Sequence, residues 1–218
     1  MRGFFVNICR ILAVVGILNA AAFGFVEGED YIKLETPVAN MNKTLAKVFS
    51  YACPICYETD KIMEPDIAKA LEGIVEFKPL HIKTQGVYAK EASEIFAVLL
   101  IKDKDSGISS VFDKDSRFNK AKMAYYKAYH DKKERWKIGG KSFIKAGLNA
   151  SGLSEDEFEA LKKDPRVKEI LDMWSISYDI AKTYGAPTYV VNGKYIINSK
   201  YTNSTDTLIS IIKELADK

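Results

Sequence analysis

Cysteine is scarce in this chain, with three in 218 residues, and that excludes a small scaffold stapled by several disulfides. Histidine is scarcer: His81 and His130 are the only two, too few for a histidine-rich metal site. An excess of one charge sign is also missing. Thirty-two Lys and Arg against 29 Asp and Glu leave +3, so the balance gives no mandate for nucleic acid. No internal repeat or low-complexity linker interrupts the chain. A membrane-spanning apolar run, ~20 residues long, is lacking as well. The nearest candidate, Ile11 to Val26, is broken by Asn19.

That N-terminal stretch is laid out as an export signal. Arg2 and Arg10 flank a short basic region, Ile11 to Leu18 is apolar, and Ala20-Ala21-Ala22 offers a small-x-small cleavage site. Residues 1–24 are expected to leave, with the cut after Ala22 or Gly24, and Cys9 goes with them. The formal charge then falls from +3 to +1, and Cys53 and Cys56 become the only cysteines. A lone pair in an exported protein is kept for redox or metal chemistry, not for stapling.

Cys53-Pro54-Ile55-Cys56 follows an apolar stretch (Val48, Phe49, Tyr51, Ala52) and opens an amphipathic run. A sulfur at a helix N-terminus faces unpaired backbone N–H groups and the positive end of the helix dipole, which favours its thiolate. A four-residue loop constrains the unfolded chain little, so a purely structural disulfide has small value here.

The surrounding elements can be read from pattern. Tyr31–Leu34 suits a short edge strand and Thr44–Ser50 a mostly buried one. The next helix puts Ile55, Ile62, Met63, Ile67 and Leu71 on one face, and Pro65 predicts a kink near Ile62. Ile74–Ile82 is a strand that Pro79 pushes towards an edge. Residues 87–164 show helical patterns and no strand, with a capping box at Ser154–Glu157. Asp164-Pro165 starts a long helix that Gly185 stops. Asn192-Gly193 joins two strands as a hairpin, and Thr205–Ala216 closes the chain as an amphipathic helix. A βαβ unit joined to a ββα unit predicts an α/β fold: a central mixed sheet, helices on both faces and the hairpin at its antiparallel edge.

The Phe49–Tyr57 block around the two cysteines and the Gly185–Tyr195 block around Ala186-Pro187 resemble the DsbA family of periplasmic thiol oxidases, in the thioredoxin superfamily. The resemblance implies a thioredoxin fold, with a thioredoxin-like domain of residues 25–86 and 165–218 and an inserted helical domain of residues 87–164. It implies a cis Ala186–Pro187 bond and a redox-active Cys53–Cys56 disulfide with no other cofactor. It further implies a monomeric periplasmic oxidase that gives its disulfide to exported proteins with cysteine pairs. An inner-membrane, quinone-linked partner of the DsbB or DsbI type would reoxidise it. DsbA has Pro-His between its cysteines. The Pro54-Ile55 dipeptide is more similar to the DsbL branch, which uses Pro-Phe, and it lacks one polar group able to stabilise the thiolate.

On this reading Cys53 is the exposed, attacked sulfur and Cys56 its buried partner, tuned by Pro54 and Ile55. Ala186 and Pro187 bind an extended substrate strand, since proline carries no competing N–H. Lys47 stands where the family has a buried acid. Under the active site its charge would favour the thiolates, with Glu76 on the neighbouring strand as its expected partner; snorkelling to solvent is the alternative. The basic, aromatic stretch from Lys120 to Lys145 reads as a solvated helix face over a tyrosine core. Two other functions use the same sulfurs: a disulfide reductase or isomerase, and a copper or zinc carrier that adds His81 and His130. The histidine spacing matches no closed zinc pattern, and no segment supplies an isomerase's dimerisation module.

Overall fold

The computed structural model describes residues 24–201 and 203–218, so most of the expected export signal, Cys9 included, lies outside the described residues. The strands are β1 (Tyr31–Lys33), β2 (Thr44–Phe49), β3 (Glu76–His81), β4 (Thr188–Val191) and β5 (Tyr195–Ile197). Helices α1 (Pro54–Ile62) and α2 (Glu64–Ala70) separate β2 from β3. Between β3 and β4 come α3 (Ala89–Asp105), α4 (Arg117–Tyr126), α5 (Gly140–Ser151), α6 (Glu155–Leu161), α7 (Pro165–Met173) and α8 (Ile176–Tyr184). Helix α9 (Thr205–Ala216) ends the chain.

The sheet runs β1-β5-β4-β2-β3, with β2 and β3 parallel and the other pairs antiparallel. Every residue of β2 is buried, as a central strand covered on both faces requires. Pro79 sits on β3 at the open edge, where a missing N–H breaks no ladder. Asn192 and Gly193 both take positive φ, 54° and 64°, the backbone that a tight two-residue hairpin needs. The hairpin is not the antiparallel edge, however. Strand β1 pairs outside β5, Tyr31 opposite Ile197, and covers it.

Alternate residues feed two cores. Leu45, Tyr189, Val191 and Ile197 meet Ile67 of α2 and Leu208, Ile211 and Ile212 of α9. Ala46, Val48, Val190 and Ile196 join the larger core, to which α3 to α8 contribute Phe96, Phe118, Tyr125, Phe143 and Trp174. Tyr125 and Phe143 stack at 4.2 Å, binding α4 to α5. The helix expected after Asp164 is two helices, broken at Trp174–Ser175. There the buried Ser177 hydroxyl lies 2.6 Å from the Trp174 carbonyl oxygen and 2.9 Å from that of His81, tying the break to β3.

The predicted kink falls between α1 and α2, at Ile62–Met63. The inward face of these two helices is not the expected one. Ile55 and Ile62, expected in the apolar stripe, are 59% and 66% exposed, while Asp60 and Glu64 are buried. Among the described residues no helix is long and apolar enough to cross a membrane.

Candidate active site

Strand β2 delivers the chain into a tight turn, Ser50 to Cys53, closed by the Cys53 N–H donating to the Ser50 carbonyl at 3.0 Å. Cys53 is the N-cap of α1, and Pro54, first in the helix, has no N–H to leave unsatisfied. Cys53 and Cys56 are joined by a disulfide. Cys53 Sγ accepts the Cys56 backbone N–H at 3.1 Å, taking the place that a capping oxygen holds in other helices. This contact and the helix dipole both stabilise negative charge on that sulfur. Cys53 is less open than the sequence reading expects: only 3% of it is exposed, against none of Cys56. The opposing β4 segment covers it, with the Ala186 carbonyl oxygen 3.4 Å from Cys53 Sγ. Ala186–Pro187 is a cis peptide. The two motifs, 133 residues apart in sequence, thus meet at one sulfur. Ile55 forms an exposed apolar lip beside it.

Lys47 is buried under α1 and does not reach solvent. Its partner is not Glu76. In the parallel register Glu76 lies opposite Thr44 and Lys47 opposite Pro79, and the exposed Glu76 pairs with Lys78. Lys47 instead meets Asp60 of α1 and, at 2.5 Å, Glu64 of α2. Lys122 of α4 completes a closed group of four, 2.6 Å from Asp60 and 3.5 Å from Glu64. Two ammonium groups and two carboxylates balance each other, which such burial demands. Burial works against the Lys47 charge, but Glu64 and Asp60 outweigh it and hold the ammonium above its ordinary value. Burial pushes the Glu64 carboxyl up. Asp60 feels the same desolvation, yet Lys122 and Lys47 hold it below the ordinary carboxylate value. Cys56, Asp60 and Glu64 are four residues apart, so the charged group begins one helical turn below the internal sulfur. Asp60 and Glu64 are not among the residues expected from sequence, and Lys122 is expected only as part of a solvated basic face. The available signal was two acids in step with Cys56 on a helix face that also carries Ile67.

A π turn, Lys127–Asp131, continues α4 and forms a further wall. His130 stacks on Tyr57 of α1 at 5.6 Å, and the Tyr57 hydroxyl donates to Asp131 at 2.7 Å. His130 Nε2 lies 3.0 Å from the Tyr51 carbonyl oxygen, within the turn that presents Cys53. The rest of the basic stretch is as expected, Tyr125 and Tyr126 in the core and Lys120, Lys127, Lys132 and Lys133 outside, with Lys122 the exception. His81 is in the core, its Nδ1 2.7 Å from Ser93 Oγ. Because Ser93 Oγ donates to the Ala89 carbonyl at 3.0 Å, the imidazole must donate to Ser93 from Nδ1. Among the described residues no three His, Cys, Asp or Glu side chains converge to hold a metal ion.

A redox-active pair at a helix N-terminus, faced by an X-Pro loop on a mixed sheet with helices on both faces, defines a thiol:disulfide oxidoreductase of thioredoxin fold. Residues 44–209 match the family model of the DSBA-like thioredoxin domain, and the chain belongs to that family. It is 51% identical over 210 residues to the thiol:disulfide interchange protein DsbL of Escherichia coli O6:H1, covering 95% of this chain and 94% of the relative. To the thiol:disulfide interchange protein DsbA of Dickeya dadantii it is 25% identical, over 94% of this chain and 93% of that one. The crystal structure of Salmonella enterica serovar Typhimurium DsbL superposes with a TM-score of 0.86 at 52% identity, over 90% of this chain and all of that one. A DsbA structure from Klebsiella pneumoniae shares the fold, with a TM-score of 0.68 at 17% identity, over 90% of this chain and all of that one.

Proposed function

We propose that this oxidoreductase works in the direction of oxidation, donating the Cys53–Cys56 disulfide to cysteine pairs in exported proteins. A substrate thiolate attacks Cys53 Sγ, the Cys53–Cys56 bond breaks, and Cys56 takes the electron pair and a proton. The mixed disulfide so formed is attacked at the substrate sulfur by the substrate's second thiolate, and Cys53 leaves as a thiolate. Two electrons pass from substrate to enzyme, and the substrate gains one disulfide. A quinone-linked membrane oxidase of the DsbB or DsbI kind returns the enzyme to its disulfide form. Residues 1–24 are the export signal, and the periplasm is the working compartment.

One observation carries this direction: Cys53 Sγ is the N-cap acceptor of α1, so the sulfur that must leave is the one whose anion the helix stabilises. The Ala186 backbone in contact with it, followed by a residue without an N–H, suits pairing with an extended substrate strand that lays its cysteine against Cys53. Pro54 and Ile55 set the polarity of the helix start, and Lys47 tunes both sulfurs from below. Equilibration against glutathione, with alkylation of reduced Cys53→Ser and Cys56→Ser across pH, tests the assignment. In Cys56→Ser, Cys53 is expected to alkylate with a midpoint well below that of free cysteine. A free-cysteine midpoint, or a potential as reducing as thioredoxin's, would assign the protein to reduction instead.

A further inference from the structure

The peptide unit between Tyr51 and Ala52 lies at the centre of the turn that presents Cys53. Both of its polar groups are held from outside the backbone ladder. The Ala52 N–H donates to Ser50 Oγ at 3.1 Å, and that hydroxyl itself donates to the Gln85 carbonyl at 2.7 Å. The Tyr51 carbonyl faces His130 Nε2 at 3.0 Å, across a separation of 79 residues. A carbonyl has no hydrogen to give, so Nε2 carries the proton and the imidazole is the donor. Burial, aided by Lys133 and Arg135, holds the ring below its ordinary value, so near neutral pH it acts as a neutral N–H donor.

His130 is itself firmly placed. Its ring stacks on Tyr57, which stacks on Tyr126 at 5.2 Å, and it meets the Tyr129 ring edge-on at 5.0 Å. The neighbouring Asp131 takes the Tyr57 hydroxyl. The π turn brings this about. One extra residue in the helical repeat turns His130 and Asp131 together onto α1, and such turns recur at functional sites.

We propose that His130 is a positioning residue for the redox turn, reaching from the helical insertion to fix the Tyr51–Ala52 peptide and so keep its carbonyl dipole off the Cys53 sulfur. Without the imidazole only the Ser50 hydroxyl holds that peptide, and a rotation about its two flanking single bonds, at the cost of that one contact, offers its oxygen to the sulfur two residues on. A carbonyl oxygen turned that way opposes the thiolate, makes Cys53 a poorer leaving group and weakens the oxidant. The inference rests on Cys53 being the sulfur that leaves as an anion.

The test compares His130→Phe, which keeps a ring on Tyr57 but has no donor, with His130→Gln, whose amide N–H lies at the same reach as Nε2. Three readouts are needed: the Cys53 thiolate titration, the equilibrium constant with glutathione, and the ¹³C shift of the Tyr51 carbonyl. His130→Phe should move thiolate stability and equilibrium constant together by about three- to tenfold towards a weaker oxidant, the scale of one neutral hydrogen bond. Its Tyr51 carbonyl resonance should move upfield, and His130→Gln should restore most of all three. Should His130→Phe fail to fold, His130→Ala is read in the same assays against the glutamine variant. Equal titrations in the folded wild type and donor-free variant would overturn the proposal, as would a glutamine variant no better than phenylalanine. A wild-type Cys53 that titrates like free cysteine would instead sink the direction of transfer on which the inference rests.

Discussion

Replacing Lys47 by methionine removes one of two ammonium groups from the sealed group of four while leaving the bulk of the side chain in place. Its partner Asp60 is seven residues beyond Cys53 on α1, about 10.5 Å along the axis at 1.5 Å per residue. At a separation of ~11 Å and an effective dielectric of ~20, one unit of charge changes the free energy of the Cys53 thiolate by roughly 1.5 kcal/mol. That is about one pK unit, or tenfold in the thiolate-to-thiol ratio. Burial already pushes the Glu64 carboxyl up, and losing the Lys47 charge pushes it further, so a proton gained there offsets part of the change. The variant's Cys53 midpoint should therefore rise by up to about one unit, and its potential should become up to about 30 mV more reducing. Thiolate absorbance of the reduced protein against pH reads the first, and glutathione equilibration the second. Lys47→Arg, which keeps the charge, should stay closer to wild type. A folded Lys47→Met protein that titrates within a few tenths of a unit of wild type would refute the electrostatic argument, and the quartet would then be structural only.

Other groups give further expectations. Burial pushes His81 down to about 3, so the folded protein resists the proton that the unfolded chain takes up below about 6.5. Stability from this group is present above that unfolded value and is lost as pH falls towards 3, with about 2 kcal/mol gone between pH 7 and pH 5. Urea unfolding of His81→Asn, which keeps a donor for Ser93, should show a pH slope flatter by that amount. An added Cβ at Gly147 would lie 2.6 Å from Tyr125 Cζ and 2.9 Å from Cε2, inside the stack that joins α4 to α5. Gly147→Ala should accordingly cost about 1–3 kcal/mol and lower the thermal midpoint by several degrees. An unchanged melt would mean that the tyrosine has room to move.

The redox pair and the loop that faces it are legible in the sequence because each rests on local chemistry. A proline after Cys53 suits only the first position of a helix, and Gly185 takes the positive φ of 84° at the end of α8 that its lack of a Cβ permits. Hairpin, kink and capping box are legible for the same reason: each is settled within about four residues. The misreadings arise where the outcome depends on register between distant elements. Glu76 is an acid on the strand next to Lys47, but a parallel pairing that sets Lys47 opposite Pro79 carries Glu76 to the exposed end of β3. Ile55 and Ile62 count as apolar in any periodicity, yet the face turned inward is the one that carries Cys56, Asp60, Glu64 and Ile67. Those two carboxylates can be buried only because Lys47 and Lys122 arrive from β2 and α4 to neutralise them. No window of sequence contains that condition. A buried ion group is a property of three elements at once, and so is the wall that His130 builds beside Cys53. Helix α4 and the π turn after it therefore do more than cover the sheet: Lys122 joins the ion group under α1, and His130 reaches the turn that carries Cys53.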